Sequence, residues 1–304
     1  MKQICLLLFS ILLITSGCTK APDGNTNQID NTQIHYTTTN GERLFPNITE
    51  PACFGAILLS NTYEDGIGII TFDSAITSIG DSAFKDCSNL ESILIPDSVT
   101  SIGNSAFYNC TSIKNITLSK SITSLGESAF ENCSKLEAID LPDSDINIGE
   151  YAFWDCTSLP VENNIIYADY YTVGVVDNTL ATYEIKNGAK IIGSETFYGC
   201  INATNIIIPN SVTKISRAVF AYCHNLEEIT IPKNVNKIGE YAFSLCPNLL
   251  NVYCKPTTPP IVDHLTFVGH VFGRKIFVPI ESVSAYTSAS NWDRYTSEIV
   301  GYEY

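Results

Sequence analysis

Among the chemically reactive residues of this chain, cysteine is the one that recurs at a regular spacing. Seven cysteines recur 23 residues apart, with one step of 44, at Cys87, Cys110, Cys133, Cys156, Cys200, Cys223 and Cys246. A thiol can form a disulfide, bind a metal or attack an electrophile. If like repeats stack about 4.8 Å apart, equivalent Cβ atoms lie beyond the ~3.8 Å typical of a disulfide. We therefore predict reduced thiols that are buried as small apolar groups.

A ladder of metal ions is the alternative interpretation of these cysteines. The chain has no Cys-x-x-Cys pair, and one thiol per repeat without a converging His provides no tetrahedral set of ligands. Cys53 and Cys254 lie near opposite ends of the repeats, too far apart to bridge each other. We therefore predict no metal site.

The remaining polar side chains form no recognisable catalytic motif. The four histidines, His35, His224, His264 and His270, lie in no His-Glu-x-x-His pattern. The sequence also lacks a Gly-x-Ser-x-Gly elbow and a glycine-rich phosphate loop. Two carboxylates that are distant in sequence could still meet in the folded chain and act as a hydrolase, which is the least favoured of the three functional hypotheses; the other two are given at the end of this subsection. We predict no enzymatic activity and no cofactor.

A repeated element must position the thiols, and the neighbouring residues define it. Each of the seven cysteines follows a Phe by three positions, and in six repeats an Ile-Gly or Leu-Gly pair precedes that Phe. After the Cys, apolar residues alternate with others, as in Ile93-Leu94-Ile95-Pro96. The alternation predicts one short parallel strand per repeat, and Ala-Phe-x-x-Cys predicts a short helical or 3-10 turn. Stacked repeats would form a right-handed, elongated solenoid that is mainly β.

One repeat resembles a known family. Residues 76–99, Ile-Thr-Ser-Ile-Gly-Asp-Ser-Ala-Phe-Lys-Asp-Cys-Ser-Asn-Leu-Glu-Ser-Ile-Leu-Ile-Pro-Asp-Ser-Val, resemble the BspA-type leucine-rich repeat of surface proteins from Bacteroidetes and some other microbes. The resemblance extends over residues 41–304. It implies a leucine-rich-repeat solenoid and, as in certain members, adhesion to host or microbial surface molecules. Repeats of this kind say little about the ligand.

The first residues predict where the protein is sent. An apolar run that ends in a Gly-Cys pair at Cys18 resembles a bacterial lipoprotein signal. The resemblance implies a signal peptide over residues 1–17, lipidation of Cys18 and an outer-membrane lipoprotein on the cell surface. Thr15 stands where such sites usually have Leu, so a secreted or periplasmic protein is the alternative. The polar residues 18–40 predict a lipidated Cys followed by a flexible tether.

Three segments depart from the repeat. Residues 41–75 contain two apolar stretches around an Asp-Gly turn, which predicts a β-hairpin as N-terminal cap. Residues 273–304 predict a strand followed by a mostly helical C-terminal cap. The solenoid occupies residues 76–272, and residues 160–189 predict an irregular hairpin insertion within it. The insertion carries tyrosines that either contact a partner or shield the irregular joint: Tyr167, Tyr170, Tyr171 and Tyr183.

The outward positions of the strands form the one regular surface that the repeats create. Positions four and seven residues after six of the seven repeat cysteines, all except Cys156, define the candidate binding face: Glu91, Leu94, Lys114, Thr117, Glu137, Asp140, Thr204, Ile207, Glu227, Thr230, Leu250 and Tyr253. A flat, mostly polar ladder suits a broad protein or glycan partner better than a small cofactor. The alternative is that this face is simply solvated.

Charge narrows the choice of partner. With 17 Lys and Arg against 32 Asp and Glu, the formal net charge is −15, which repels the phosphates of nucleic acid. We expect extracellular proteins or glycans as partners, and the membrane through the lipid anchor. The leading hypothesis is a non-enzymatic surface lipoprotein that mediates protein binding or adhesion. The alternative is a glycan-binding accessory or an envelope structural lipoprotein.

Overall fold

A computed structural model describes residues 29–47, 53–142, 146–269 and 271–304 of the 304-residue chain. The predicted signal peptide, the lipidation of Cys18 and the first part of the tether therefore lie outside the described residues. Within the described ranges the chain is a stack of β-rich repeats, closed at each end by a different cap. This arrangement confirms the predicted leucine-rich-repeat solenoid.

The N-terminal cap is a three-stranded antiparallel sheet rather than a hairpin alone. Strands β2 (Leu58–Glu64) and β3 (Ile67–Phe72) form the predicted hairpin around a turn at Asp65. Strand β1 (Gln33–Thr38) pairs antiparallel with β3 and with the first strand after a repeat Cys, β5 (Leu90–Leu94). The cap is thus continuous with the solenoid sheet and covers its first repeat.

Strand β1 corrects the predicted extent of the tether. The interpretation of residues 18–40 as a flexible segment is wrong for residues 33–38, which form this strand. Its side chains alternate, and Ile34, Tyr36 and Thr38 are buried. The composition of the segment is polar, but the period of two lets one face pack on the cap.

Each repeat contains two short strands instead of the single strand that was predicted. The first kind follows the repeat Cys or, for β14, the register position of a Cys, and comprises β5, β7 (Asn115–Thr117), β9 (Ala138–Ile139), β14 (Thr182–Glu184), β16 (Asn205–Ile207), β18 (Glu228–Ile231) and β20 (Asn251–Cys254). The second kind has two residues and comprises β4 (Ser78–Ile79), β6 (Ser101–Ile102), β8 (Ser124–Leu125), β10 (Asn147–Ile148), β15 (Ile191–Ile192), β17 (Lys214–Ile215), β19 (Lys237–Ile238) and β21 (Ile261–Val262). Strands of both kinds pair in parallel with their equivalents in adjacent repeats, as β5 does with β7, β18 with β20, β4 with β6 and β15 with β17, whereas β16 and β18 belong to separate sheets. Two residues are too few for alternation to be visible, which is why the second ladder was missed.

The predicted short turn at Ala-Phe-x-x-Cys is present as a run of turns, in which Lys85 N–H donates to the Ser82 carbonyl and Cys87 N–H to the Phe84 carbonyl, and it does not form a regular helix. In the first repeat Ser82 and Asp86 have φ angles of 56° and 62°, in the left-handed region. Between them, Phe84 N–H donates to the carbonyl of Ala106 in the next repeat at 2.7 Å. Ser82 and Asp86 donate to the next repeat in the same way. Because the backbone conformation alternates, every second N–H points along the stack and donates to the next repeat. This segment therefore forms a third ladder of hydrogen bonds between repeats.

Phenylalanine rings form the interior column of the solenoid. Phe84, Phe107, Phe130 and Phe153 stack with centroids 5.2–5.5 Å apart and rings within 4° of parallel. A second column contains Phe197, Phe220, Phe243 and Phe267. These rings are buried. Each repeat therefore supplies one wall of the core of its neighbour.

The repeat cysteines pack beside this column as predicted. All seven are buried and unbridged. The Cys110 Sγ donates to the carbonyl oxygen of Phe84 in the preceding repeat at 3.1 Å, and Cys246 does the same to Phe220 at 3.0 Å. The thiol therefore acts as a small apolar group with one weak donor.

The insertion divides the stack. Strands β11 (Val161–Glu162), β12 (Ile165–Ala168) and β13 (Tyr171–Val175) form an antiparallel meander that contains the predicted hairpin. The ladder of β4, β6, β8 and β10 ends there, and the next one begins with β13 beside β15. Buried side chains accordingly form two clusters that meet at the insertion, which contributes residues to both.

The C-terminal cap contains less helix than predicted. Strand β22 (Lys275–Pro279) is followed by a 3-10 helix (Ile280–Ser282), helix α1 (Val283–Ser288), a second 3-10 helix (Asp293–Tyr295) and strand β23 (Ile299–Tyr302). Only six residues are α-helical, and β23 adds a parallel strand to β22. Trp292 is buried, and its indole N–H donates to the Pro260 carbonyl at 2.7 Å. The aromatic residues of this segment thus close the core, as expected.

Candidate functional site

The candidate binding face consists of the outward side chains of the strands that follow each Cys, and we call it the strand face. Of its twelve predicted residues, nine are exposed, and Glu91, Leu94 and Tyr253 are partly buried. Equivalent positions lie side by side: Leu94 faces Thr117 across β5 and β7, and Thr230 faces Tyr253 across β18 and β20. The structure therefore brings residues from successive repeats into rows, as predicted.

The strand face is two surfaces and not one continuous ladder. The first runs over β5, β7 and β9, and the second begins at β14 after the insertion, with a break in the hydrogen-bonded ladder between β16 and β18. On the first surface, Lys114 Nζ lies 2.8 Å from the carboxylate of Glu91, and both side chains are substantially exposed. Exposed pairs of this kind contribute about 0–1 kcal/mol to stability, so the contact does not rigidify the surface.

The second surface ends in a group of aromatic rings that we call the aromatic platform, formed by Tyr253, Phe277, Tyr302 and Tyr304. Tyr253 and Phe277 stack with centroids 4.9 Å apart, and Tyr302 meets both rings edge-on. Tyr302 is 42% and Tyr304 51% exposed. Burial of its hydroxyl raises the pKa of Tyr304, so this phenol is neutral at physiological pH. The group presents exposed ring surface beside the polar rows.

Only Tyr253 of the aromatic platform was predicted as a contact residue. Phe277, Tyr302 and Tyr304 belong to the C-terminal cap, which was treated as a cover for the core. The spacing of 24 residues from Tyr253 to Phe277 is a signal that could have found one of them, because β20 and β22 pair in parallel. The position of Tyr304 depends on the hydrogen bond from its hydroxyl to the Phe277 carbonyl, at 2.7 Å.

The four tyrosines of the insertion are buried, which contradicts their proposed role as partner contacts. Tyr170 is the most accessible, at 7%. The hydroxyl of Tyr167 accepts the Lys186 N–H at 3.0 Å, and that of Tyr183 donates to the Asp177 carbonyl at 2.8 Å. Tyr171 packs edge-on against Phe153. The tyrosines shield the irregular joint, which was the alternative interpretation.

A polar cluster around Arg217 fastens the repeats on the two sides of the insertion. Its guanidinium donates to the hydroxyl of Tyr151 at 2.9 Å, and that hydroxyl donates to the carboxylate of Glu195 at 2.6 Å. Burial, together with the hydrogen bond to Glu195, raises the pKa of Tyr151 to about 12. Arg217 also lies 3.6 Å from Glu240. Sequence analysis missed this cluster because its members, from Tyr151 to Glu240, lie up to 89 residues apart in different repeats.

The described residues hold no group of three or more His, Cys, Asp and Glu side chains arranged to bind a metal ion. In the same ranges, none of the helices is long and apolar enough to cross a membrane. Burial raises the pKa of Cys87 to about 11 and that of Cys246 to about 12. These thiols are therefore protonated at neutral pH and are poor nucleophiles.

A family model described as BspA type leucine rich repeat region matches six copies within this chain, over residues 62–171 and 176–267. No curated protein sequence matches the chain. Several solved structures are similar to it at low identity and low TM-score, among them the three that follow.

A leucine-rich repeat protein from Bacteroides ovatus is 21% identical, with a TM-score of 0.34; the match covers 73% of this chain and 61% of that one. A leucine rich cell surface protein from Faecalibacterium prausnitzii is 19% identical, with a TM-score of 0.34, over 93% and 100% of the two chains. The leucine rich repeat protein of T. pallidum is 23% identical, with a TM-score of 0.30, over 70% and 84%.

Proposed function

Because the chain belongs to the BspA-type leucine-rich-repeat family, we propose that it is a lipid-anchored surface protein that binds extracellular proteins through the strand face. The observation that carries this proposal is the arrangement of outward side chains in rows across adjacent strands. A broad, shallow surface of this kind suits another macromolecule, because small ligands need concave pockets that enclose them.

Charge on the strand face indicates which proteins it suits. Glu137, Asp140 and Glu227 are exposed acids on this face, whereas Lys114 is its one predicted base and already pairs with Glu91. An acidic surface attracts a partner with a basic patch and repels nucleic acid. We therefore expect an extracellular protein with clustered Lys and Arg.

The proposed anchor is a lipid on Cys18. Strand β1 begins at Gln33, so residues 19–32 would separate the lipid from the N-terminal cap. The cap would then be held near the membrane, and the C-terminal half would extend away from it. Labelling cells with a fatty-acid analogue tests the anchor, because the Cys18→Ala variant should lose the label.

A glycan-binding role is the second candidate function, and the aromatic platform favours it. Exposed rings such as Tyr302 combine a large apolar face with a polar hydroxyl. In this alternative the acidic rows are only solvated. No catalytic step is part of either candidate, in keeping with the high pKa of the buried thiols.

Binding measurements with a soluble form of the chain, residues 19–304, which lacks the lipidated Cys18, test the two candidates. The chain must keep residues 33–38, because β1 joins the cap to the solenoid. We expect selective binding to basic extracellular proteins in an array, and we expect Glu137→Lys with Asp140→Lys to weaken it at least about tenfold. Glu127→Lys is the matched control, since Glu127 is exposed in the same repeat but away from the strand face.

Two results would contradict the leading proposal. Retained protein binding by the double variant would show that the acidic rows are not the contact surface. Saturable polysaccharide binding that is lost in Tyr302→Ala, without any protein ligand, would favour the second candidate.

A further inference from the structure

Aromatic side chains stand on the turns of the repeats that follow the insertion, outside the third ladder of hydrogen bonds. Tyr198 and Tyr222 come from successive repeats, and their ring centroids lie 5.2 Å apart. The ring of His224 lies 6.1 Å from that of Tyr222, centroid to centroid. The exposed Ile201 and Asn225 adjoin them, and the Asn225 N–H donates to the Ile201 carbonyl at 3.2 Å. We call these five residues the turn patch, which is separate from the strand face.

Backbone strain at Tyr222 indicates that its side chain serves more than the fold. Its φ is 62°, in the left-handed region, where a bulky residue is strained. The residue before every repeat Cys has such a φ, and five of the seven are residue types that tolerate it: Asp86, Asn109, Asn132, Asp155 and Gly199. Strain of this kind concentrates at functional sites. The position therefore favours a bound partner over a structural purpose.

Charge excludes two kinds of partner. The turn patch contains no Asp, Glu, Lys or Arg, in a chain whose net charge is −15. Glu195, three residues before Tyr198, is already bound by the Tyr151 hydroxyl at 2.6 Å and lies 3.6 Å from Arg217. The patch offers no acid to a basic protein, and a second copy of this chain would bring its own negative charge to the same surface. An uncharged partner fits best.

The exposed area indicates a small contact. Tyr198 and Tyr222 are 45% and 38% exposed. Because an aromatic side chain has about 150–250 Å² to bury, the two rings offer on the order of 150 Å² together. A standard protein interface takes about 800 Å² from each partner. The rings therefore match one or two units of a chain-like ligand better than they match a folded protein.

Polar groups beside the rings complete the patch. Among the described residues, no hydrogen-bond partner accompanies the hydroxyls of Tyr198 and Tyr222, the imidazole of His224 or the amide of Asn225. Each of these neutral groups can donate and accept. A sugar ring has the same two characters, because its C–H face is apolar and packs on an aromatic ring while its hydroxyls donate and accept.

We propose that the turn patch binds an uncharged polysaccharide. One sugar ring would pack on Tyr222 and a neighbouring one on Tyr198, with their hydroxyls bonded to His224 and Asn225. The inference goes beyond the proposed function, because both candidate functions there use the strand face or the aromatic platform at its end.

Native affinity electrophoresis of the soluble form, residues 19–304, tests the proposal, with hydroxyethyl cellulose, glycogen or polygalacturonate in the gel. We expect at least one of the two neutral polysaccharides to retard the chain, and the acidic polygalacturonate not to retard it. Tyr222→Asn should raise the Kd at least about fivefold. The same variant should melt no lower than the native chain, because Asn occupies this position in other repeats. A side chain that served only the fold would give a lower melting temperature when replaced.

Tyr108→Ala is the matched control. Tyr108 follows Phe107 as Tyr198 follows Phe197, but Lys85 and not a second ring lies over it, with Nζ 4.9 Å from the ring centroid. This variant should be retarded as strongly as the native chain. Tyr198→Ala combined with Tyr222→Asn should abolish the retardation.

Any of three results overturns the proposal. The first is that neither neutral polysaccharide retards the native chain, and the second is that polygalacturonate retards it equally. The third is that the double variant is retarded as strongly as the native chain. If the double variant loses binding to a protein array instead, the turn patch is a protein contact and the assignment to a saccharide is wrong.

The same gels separate the turn patch from the other surfaces. Glu137→Lys with Asp140→Lys should leave the retardation unchanged, and Tyr222→Asn should leave binding to basic proteins unchanged. Retardation that is lost in Tyr302→Ala but kept in the double variant would assign the saccharide to the aromatic platform. That result would overturn this site and support the second candidate function.

Discussion

The two parts of the solenoid have the same interior and different exteriors. In the N-terminal half, residues 76–142, the residues before the repeat Cys are Asp86, Asn109 and Asn132, whose side chains form a hydrogen-bonded row at 2.9 and 3.0 Å. In the C-terminal half, residues 182–267, two of the equivalent residues are Tyr222 and Leu245, both exposed. Inside, Phe rings stack in both halves. Each interior side chain packs against the equivalent side chain of the next repeat, so the residue type at that position has to recur. An exposed side chain has no such neighbour to fit, and its residue type is free to change.

Backbone geometry makes this exterior difference costly. The residue before Cys has a positive φ in both halves, 59° at Asn109 and 55° at Leu245. Asn and Asp tolerate this left-handed region well, whereas a bulky residue such as Leu does so with strain. The C-terminal half therefore sacrifices some stability at positions where it displays apolar and aromatic surface.

Alkaline pH should have the largest effect and should act on both halves alike, because both contain the thiol column. Burial raises the pKa of Cys87 to about 11 and that of Cys246 to about 12, whereas an unfolded thiol ionises near pH 8.5. This contribution to stability is complete below about pH 8.5. Above it, each deeply buried thiol removes up to about 1.4 kcal/mol per pH unit, until the pH reaches its folded pKa. Urea unfolding between pH 8 and 11 measures the sum.

The control for this pH dependence is a variant without one thiol. Cys246→Ala should be less stable than the native chain at pH 7, but its stability should fall less steeply above pH 9. Parallel curves for the two proteins would show that the buried thiols do not cause the loss.

Removing one ring from each Phe column tests whether the halves are separate cores. Phe107→Ala and Phe220→Ala should each lower the free energy of unfolding by about 3–5 kcal/mol, because both rings are fully buried. Since the buried residues form two clusters, amide exchange should accelerate mainly in the half that carries the substitution. Tyr108→Ala, beside Phe107 and only partly buried, is the control. Equal acceleration across both halves would mean one cooperative core.

A methyl group at Gly103 should cost less, about 1–3 kcal/mol. A Cβ there would lie 2.6 Å from the backbone N of Asp81 and 2.8 Å from the carbonyl carbon of Gly80. Of the three equivalent positions in the C-terminal half, Gly193 and Gly239 are also glycines, and Ser216 is the one that already has a Cβ. Ser216→Ala is therefore the matched control, with little expected change in melting temperature. A neutral Gly103→Ala would show that the repeats around Gly103 accommodate a Cβ as those around Ser216 do.

The smallest expected effect has the opposite sign. Leu245→Asn should stabilise the chain by about 1 kcal/mol, because Asn accepts the positive φ of 55° more readily than Leu. Asn109→Leu should destabilise it, since it also removes the hydrogen bond to Asp86. Thermal unfolding of both variants measures the pair. A loss of stability in Leu245→Asn would indicate that packing of Leu245 outweighs the backbone strain.

The sequence was sufficient for features that recur at a fixed period. The spacing of Phe107 and Phe130 placed these rings one above the other, and their centroids are 5.2 Å apart. The same register placed the cysteines inside and the strand face outside. Strand β1 was missed because it occurs only once and lies in a segment of polar composition. The two-residue strands were missed because two residues are too few to show alternation.

The insertion is a region where the sequence pattern did not determine which side chains are buried. The sequence left open whether its tyrosines contact a partner or shield the joint, because nothing in the local sequence distinguishes an outward ring from one that covers a joint. Tyr183 is buried because it meets Phe197 where the Phe column is interrupted. The burial of Tyr183 therefore depends on a contact with the following repeat and not on the residues next to Tyr183 in the chain.

Periodic packing was therefore encoded in the order of residues, since each repeat has to fit a copy of itself and the pattern is repeated at every step. The convergence of unlike segments was decided only when the chain folded. Tyr253 meets Tyr302 because β23 turns back beside β22, and Lys214 approaches Ile148 because the insertion shifts one ladder against the other. Contacts between different elements depend on where each element ends in space. A pattern over a few residues carries no information about which distant elements will meet there.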